Sequence, residues 1–230
     1  MQKDEYVFDM ATPPVLPQRP TPTRPPALPT DHRRQQWGLA MKGDIVLLAG
    51  AIAIAWGLQI ADLVSFSFLD NFGIKPRTLW GIPGILAAPF LHGDFGHLIS
   101  NTIPFFMLGG IVLIGGRKLF IATSLFIILI GGGALWTLGP SNTNHIGASL
   151  LVFGYLGFLL ARGVVEKSTF WIVVSVVVLI LYGGMFAGLL PGQEGISWQG
   201  HLFGFIAGVL GARVLLTGES RAKLTGTSLL

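Results

Sequence analysis

Ser149 and His201 are polar residues that open two different long apolar stretches, within Gly147-Ala148-Ser149 and Gly200-His201. A hydroxyl and an imidazole are costly to place in a hydrocarbon environment, so polar groups inside membrane spans indicate function by default. The two side chains also match a nucleophile and a general base, the pair that activates a serine for covalent catalysis. The pattern therefore predicts nucleophilic chemistry inside a membrane.

The composition supports a membrane setting. The 230-residue chain is 51% hydrophobic and only 11% charged, whereas soluble domains carry about 25% charged residues. The chain has no cysteine, which excludes a disulfide framework, a thiolate zinc site and a cysteine nucleophile. Its net charge of +4 comes from basic residues scattered near the ends of the apolar stretches, without the basic stripe that predicts nucleic-acid binding.

Six apolar stretches predict an all-α polytopic membrane protein, because a spanning helix needs about 20 apolar residues. A proline-rich segment over 1–43 lacks periodicity and predicts a disordered cytosolic tail. A six-helix membrane domain is predicted over 44–217, followed by a short cytosolic tail over 218–230. The stretches lie at about 45–66, 98–116, 119–138, 149–161, 169–190 and 200–216, and the loop at about 67–97 is predicted to lie at the membrane interface.

Lys and Arg side chains predict the orientation of the six helices. Thirteen of them lie on the side that holds both termini, and only Lys75 and Arg77 lie on the other. Because basic residues favour the cytosolic side, both termini are predicted to be cytosolic. Ser149 and His201 each precede a closing arginine by about a dozen residues, which places both roughly 10 Å below the outer surface. The fourth stretch is expected to end at Arg162.

His97 and Asn101 lie on one face of the second predicted helix, because residues four apart share a helix face. Their distance from the next basic residues places them near the level of Ser149. Side-chain donors at that level are suited to stabilise a developing oxyanion.

Three motifs together resemble the rhomboid family of intramembrane serine proteases: His97-Leu98-Ile99-Ser100-Asn101, Gly147-Ala148-Ser149 and Gly200-His201. The resemblance covers about residues 45–216 and implies a six-helix rhomboid-like bundle. It also implies a dyad in which Ser149 is the nucleophile and His201 the general base. The oxyanion hole would be formed by His97, Asn101 and the Ser149 backbone N–H, and no metal or cofactor is needed.

The resemblance also implies supporting roles for neighbouring residues. Phe153 would pack on the catalytic imidazole, and Gly147 belongs to the serine motif. Gly204 and Gly208 form a small-xxx-small pattern that lets helix backbones approach closely. The chain departs from the family at two positions: Leu150 follows the serine where a glycine is usual, and Gly81 follows Trp80 where many members have arginine.

The resemblance implies a serine endopeptidase of a bacterial plasma membrane that cleaves transmembrane or juxtamembrane segments of other membrane proteins. Its substrates should carry helix-destabilising residues, because the peptide bonds of a helix are shielded by their own hydrogen bonds. Water must reach the site, so a polar cavity is expected. Besides these substrates and the lipid bilayer, no nucleic-acid partner is expected.

Other interpretations stay open at this point. A serine in a membrane helix often only bonds its own backbone, and His97 with Asn101 also fits polar contacts between helices. The whole chain also fits a catalytically inactive rhomboid-like protein that binds membrane clients, or a transporter with ionisable residues along its path. The joint pattern favours the protease. His145 is predicted to be a solvent-facing loop residue, and His92 a loop residue that helps to position the second helix.

Overall fold

A computed structural model describes residues 30–193 and 195–217, and this part of the chain is helical, with no β-strand. A π-helical turn at Ile127–Gly131 joins α4 to α5, and 3-10 turns occupy Leu69–Phe72, Leu79–Gly81, Ala88–Phe90 and Gly183–Leu189. The α-helices are α1 (Thr30–Val64), α2 (Gly84–Ala87), α3 (Phe95–Leu113), α4 (Arg117–Phe126), α5 (Gly132–Leu138), α6 (Ser149–Glu166), α7 (Thr169–Tyr182) and α8 (Trp198–Leu215).

Five helical segments in the described part of the chain are long and apolar enough to cross a membrane: Gly43–Val64, Phe95–Leu113, Arg117–Leu138, Ser149–Glu166 and Thr169–Leu189. Many of their large apolar side chains face outward, as expected where lipid is the solvent. The described part of the chain is thus all-helical, and the chain is a multi-pass membrane protein. The sixth predicted span corresponds to α8, whose 18 residues include Gln199, His201 and Arg213. A sixth crossing and the orientation of the termini stay predictions.

The N-terminal part of the chain differs from the boundary that the sequence suggests. Helix α1 begins at Thr30, so the last part of the predicted tail is helical, and residues 1–29 lie outside the described residues. Within the described residues the chain divides into two units, with the boundary in α1 after Gly38. The predicted C-terminal tail, 218–230, also lies outside the described residues.

Helix α6 is the centre of the bundle. It contacts α8, α7 and α3, and its residues from Leu150 through Leu159 are buried. The prediction that it ends at Arg162 is wrong, because this side chain is buried, pairs with Glu166 at 2.8 Å and lies 3.3 Å from the centre of the Trp171 ring. A paired and stacked guanidinium can lie inside the bundle, so α6 continues through it.

Helices α6 and α8 run parallel and in close contact. A Cβ atom at Gly204 would collide with the Leu150 carbonyl, and one at Gly208 with the Gly154 carbonyl. A step of four residues along α8 thus moves the contact by four residues along α6 in the same direction, as expected for parallel helices. Gly157 makes the reciprocal contact with the Phe205 carbonyl. Small residues therefore let the two backbones touch, as in other closely packed membrane helices.

The loop between α1 and α3 folds back on itself in short helical turns. A Cβ atom at Gly81 would collide with the backbone of Lys75, so the tight loop requires glycine after Trp80. Arg77 donates hydrogen bonds to the Thr137 and Gly139 carbonyls, which fastens the loop to the end of α5. Leu79 and Trp80 at its tip are more than 80% exposed. This exposed apolar tip agrees with a loop at a membrane interface.

Candidate active site

Ser149, His201, His97 and Asn101 line one cavity of about 890 Å³. The cavity lies where α3, α6 and α8 begin, and each of the four residues lies within the first two turns of its helix. Exposed loop residues around Asn144 and Gln193 also line it. The fold thus brings together four polar residues from three distant parts of the sequence.

The His201 imidazole is oriented by a backbone carbonyl. Its Nδ1 atom lies 2.9 Å from the carbonyl oxygen of Gly188, in the 3-10 turn that follows α7. A carbonyl oxygen can only accept a hydrogen bond, so the neutral imidazole carries its proton on Nδ1. The Nε2 lone pair is then available to accept a proton, which is the protonation state that a general base requires.

The Phe153 ring stacks on one face of the same imidazole. The ring centres of Phe153 and His201 are 4.1 Å apart and their planes differ by 11°. A Cβ atom at Gly188 would lie 3.0 Å from the Phe153 ring and 3.2 Å from Nδ1 of His201. Glycine at this position therefore leaves room for both the stack and the hydrogen bond. Ring and carbonyl together fix the plane and the tautomer of the imidazole.

The backbone before Ser149 is held by the loop between α1 and α3. Gly147 has a φ of 116°, in the region that favours glycine, and its N–H donates to the Ala88 carbonyl at 2.9 Å. The Ala148 N–H donates to Nε2 of His92 at 3.2 Å. Ser149 then begins α6 as its first residue, with a half-buried side chain.

His97 and Asn101 face the serine segment from α3. A Cβ atom at Gly147 would lie 2.6 Å from Cε1 and 2.7 Å from Nε2 of His97, so the imidazole packs directly on that glycine. Asn101 is buried, and its Nδ2 donates to the His97 carbonyl at 2.9 Å. An amide has two N–H donors, and this bond uses one of them. Asp94 caps α3 by accepting the His97 backbone N–H.

Leu150, which departs from the family pattern, is not among the residues that line the large cavity. Its side chain is buried and borders a small pocket shared with Ile74, Ile85 and Leu135. The loop between α1 and α3 and helix α5 thus provide the volume that the larger residue needs.

Two loop histidines lie beside the site: His92 is in the loop where it is predicted and next to α3, whereas His145 has a different environment from the predicted one. The prediction that His145 faces solvent is wrong: it is only 8% exposed and bonds Thr143 and Ser197. His92 is also buried, and its ring lies edge-on to the His97 ring with centres 5.1 Å apart. Burial lowers the pKa of His145, and it lowers the pKa of His92 to about 4. Both imidazoles are therefore neutral at physiological pH.

Sequence reasoning also missed Gly188, because a backbone carbonyl leaves no trace in a residue pattern. The loop histidines were detectable: His92 lies five residues before His97, and His145 four residues before Ser149. Polar residues so close to a candidate site are signals that the loop packs against it.

Comparison with known proteins agrees with this architecture. A family model described as Rhomboid domain matches residues 76–218. The uncharacterized protein Rv1337 of Mycobacterium tuberculosis is 38% identical over 212 residues, which cover 88% of this chain and 87% of the relative. The uncharacterized protein ML1171 of Mycobacterium leprae is 36% identical over 203 residues, which cover 84% of this chain and 78% of the relative.

Proposed function

The chain belongs to the rhomboid family, and from that premise we propose that it is an intramembrane serine endopeptidase that cleaves other membrane proteins. The observation that carries the proposal is the bond between Nδ1 of His201 and the Gly188 carbonyl. It leaves Nε2 unprotonated in the same cavity as Ser149. A serine hydroxyl and an oriented basic nitrogen in one water-accessible cavity fit nucleophilic catalysis.

In the proposed reaction, the Ser149 hydroxyl oxygen attacks the scissile carbonyl carbon while Nε2 of His201 takes the hydroxyl proton. The tetrahedral intermediate then collapses, and His201 returns the proton to the leaving amine. Water enters the cavity, gives a proton to the same nitrogen and attacks the acyl-enzyme ester. Collapse of this second intermediate, with transfer of the proton from His201 to the Ser149 oxygen, releases the carboxylic acid and restores both residues. The Gly188 carbonyl stabilises the imidazolium that forms in each half, as a carboxylate does in a triad.

The oxyanion of each intermediate needs hydrogen-bond donors on the side of Ser149 that faces α3. We assign this role to His97, to the second N–H of the Asn101 amide and to the Ser149 backbone N–H. The packing of His97 on Gly147 supports the assignment, because it brings the ring within two residues of the nucleophile. Preorganised donors of this kind stabilise the transition state more than donors that must reorient during the reaction.

The proposed substrates are membrane proteins with a helix-destabilised transmembrane or juxtamembrane segment. Loop residues as well as helix starts line the cavity, which suits an extended peptide better than a helix whose carbonyls are already bonded. We further propose a six-span topology in a plasma membrane with both termini in the cytosol. Because the chain has no cysteine, single cysteines at loop positions report the topology by labelling with a membrane-impermeant maleimide, and labelling of Lys118→Cys from outside intact cells would contradict it.

The proposal is tested by expressing the full chain with a single-span reporter whose transmembrane segment contains a Gly-Ala pair. The wild type should cleave the reporter, and the Ser149→Ala variant, present at the same level in the membrane, should leave it intact. The Ser65→Ala variant is a matched control, because the Ser65 hydroxyl bonds Asp62 at the end of α1 and does not line the cavity, so it should be dispensable. Cleavage that persists in Ser149→Ala would remove the proposed mechanism. Intact reporter with both proteins, across a panel of such segments, would favour a client-binding role.

A further inference from the structure

His145 connects the chain segment that carries Ser149 to the helix that carries His201. Its Nδ1 atom lies 2.6 Å from the Ser197 hydroxyl, and its Nε2 atom lies 2.8 Å from the Thr143 hydroxyl. His145 comes four residues before Ser149, and Ser197 comes four residues before His201. The side-chain bridge therefore lies directly before both members of the proposed dyad.

The direction of each hydrogen bond in this bridge follows from the partners. The Thr143 hydroxyl donates its only hydrogen to the Pro140 carbonyl at 2.7 Å, so it must accept from Nε2 of His145. Burial keeps the imidazole neutral, which leaves Nδ1 as an acceptor. The Ser197 hydroxyl must then donate to Nδ1. Each donor in this series of hydrogen bonds, from the Ser197 hydroxyl to the Pro140 carbonyl, therefore has an acceptor.

Ser197 transmits the bridge to the backbone of His201. It is the N-cap of α8, where its hydroxyl oxygen accepts the Gly200 N–H at 3.2 Å. Its carbonyl accepts the backbone N–H of His201 at 3.1 Å. A displacement of Ser197 therefore displaces the first turn of α8, including the proposed base.

The other end of the bridge is equally anchored. The His145 backbone forms a two-way pair with Ile74, in which each N–H donates to the other carbonyl at 2.9 and 3.0 Å. The His145 backbone is thus anchored by the loop between α1 and α3. The Ala88 carbonyl and the His92 imidazole of this same loop bind the residues just before Ser149. The glycine contacts of α6 and α8 set their register further along both helices, whereas the bridge acts at the ends, where helices fray.

We propose that His145 is a positioning residue of the dyad, whose bond to Ser197 sets the separation and alignment of Ser149 and His201. The inference rests on the proposed protease function. Small misplacements are costly to catalysis, because proton transfer and attack need reacting atoms in a near-attack geometry. A brace that joins the two helix starts is therefore expected to affect turnover more than substrate binding.

Two substitutions of His145 distinguish an effect of its hydrogen bond to Ser197 from an effect of burying a different polar side chain. In His145→Asn the amide oxygen lies near the position of Nδ1 and can accept from Ser197, whereas in His145→Gln the amide reaches the position of Nε2 and serves Thr143 only. We expect kcat for reporter cleavage to stay within about threefold of wild type in the asparagine variant, and to fall about 10- to 100-fold in the glutamine variant with KM little changed. Equal kcat values in the two variants would overturn the inference.

A second readout does not depend on protease activity. Because the chain has no cysteine, a cysteine pair that replaces Ser149 and His201 reports their separation through the rate of reaction with a short bifunctional thiol reagent. The rate should be the same with His145 and with His145→Asn, and lower with His145→Gln. Equal rates in all three backgrounds would also overturn the inference. A wild type that leaves every reporter uncut would instead contradict the protease proposal. The cross-linking rates would still test whether His145 sets the separation of residues 149 and 201.

Discussion

The Nδ1 atom of His201 lies 2.9 Å from the carbonyl oxygen of Gly188. Gly188 belongs to the 3-10 turn Gly183–Leu189, which continues from α7. A backbone carbonyl thus has the place that an aspartate has in a Ser–His–Asp triad. The orientation of the proposed base therefore depends on where the end of α7 lies, and the Phe153 ring supports one face of the imidazole.

The first prediction concerns this carbonyl. In Gly188→Ala the added Cβ atom would lie 3.0 Å from the Phe153 ring and 3.2 Å from Nδ1 of His201, so the imidazole or the turn must shift. We expect kcat for reporter cleavage to fall by about 10-fold or more, since misorientation of the base raises the barrier. Gly184→Ala, in the same turn, meets no atom within 4 Å and should leave kcat unchanged. An equal effect of the two substitutions would contradict the role of Gly188.

The second prediction concerns the oxyanion donors. His97→Ala and Asn101→Ala should each lower kcat by about 100- to 1,000-fold, the cost typical of losing one donor from an oxyanion hole. Gly147→Ala should have a similar effect without touching a donor, because its Cβ atom would displace the His97 ring and its φ of 116° disfavours alanine. The measurement is single-turnover cleavage of the reporter. Near-normal turnover in Gly147→Ala would show that the His97 ring need not lie against the serine segment.

The predicted fold and site could be derived from the sequence to different extents. Apolar stretches and their polar openings predicted the helical bundle and the group of Ser149, His201, His97 and Asn101 that lines one cavity. The predicted end of α6 is wrong. The prediction assumed that an arginine marks a membrane boundary, whereas Arg162 is paired with Glu166 and stacked on Trp171 inside the bundle. The burial of His145 was also missed, because a run of polar residues around it resembles a solvent loop and its partner Ser197 is distant in sequence.

The third prediction concerns the contact between α6 and α8. Gly208→Ala would direct a Cβ atom into the Gly154 carbonyl, and two backbones in contact cannot yield as a flexible side chain can. We expect a lower unfolding temperature in detergent micelles and loss of reporter cleavage. Gly57→Ala, in α1, meets no atom within 4 Å and should not lower that temperature, because alanine is a better helix former than glycine. Equal unfolding temperatures for the two variants would contradict the close backbone contact.

The fourth prediction is a dependence of stability on pH. Burial lowers the pKa of His92 from 6.5 to about 4, and its Nε2 must stay unprotonated to accept the Ala148 N–H. Between these two values the unfolded chain binds more protons than the folded one. The free energy of unfolding should therefore fall as the pH is lowered through this window, and level off below about pH 4.

The His92→Gln variant tests this prediction, because its amide oxygen can accept the Ala148 N–H without titrating. Chemical unfolding in micelles at several pH values should give a shallower slope for this variant than for the wild type. Some slope should remain, because burial also lowers the pKa of His145. Identical slopes for the two proteins would contradict a neutral, buried His92.

The central claim is that Ser149 is a nucleophile activated by His201. It is tested most directly by reacting the purified protein with a fluorophosphonate and locating the adduct by mass spectrometry. We predict that the adduct forms on Ser149, is absent in Ser149→Ala, and forms at least about 100-fold more slowly in His201→Ala, where the base is lost. An adduct on another residue, or a labelling rate that His201→Ala leaves unchanged, would contradict the dyad.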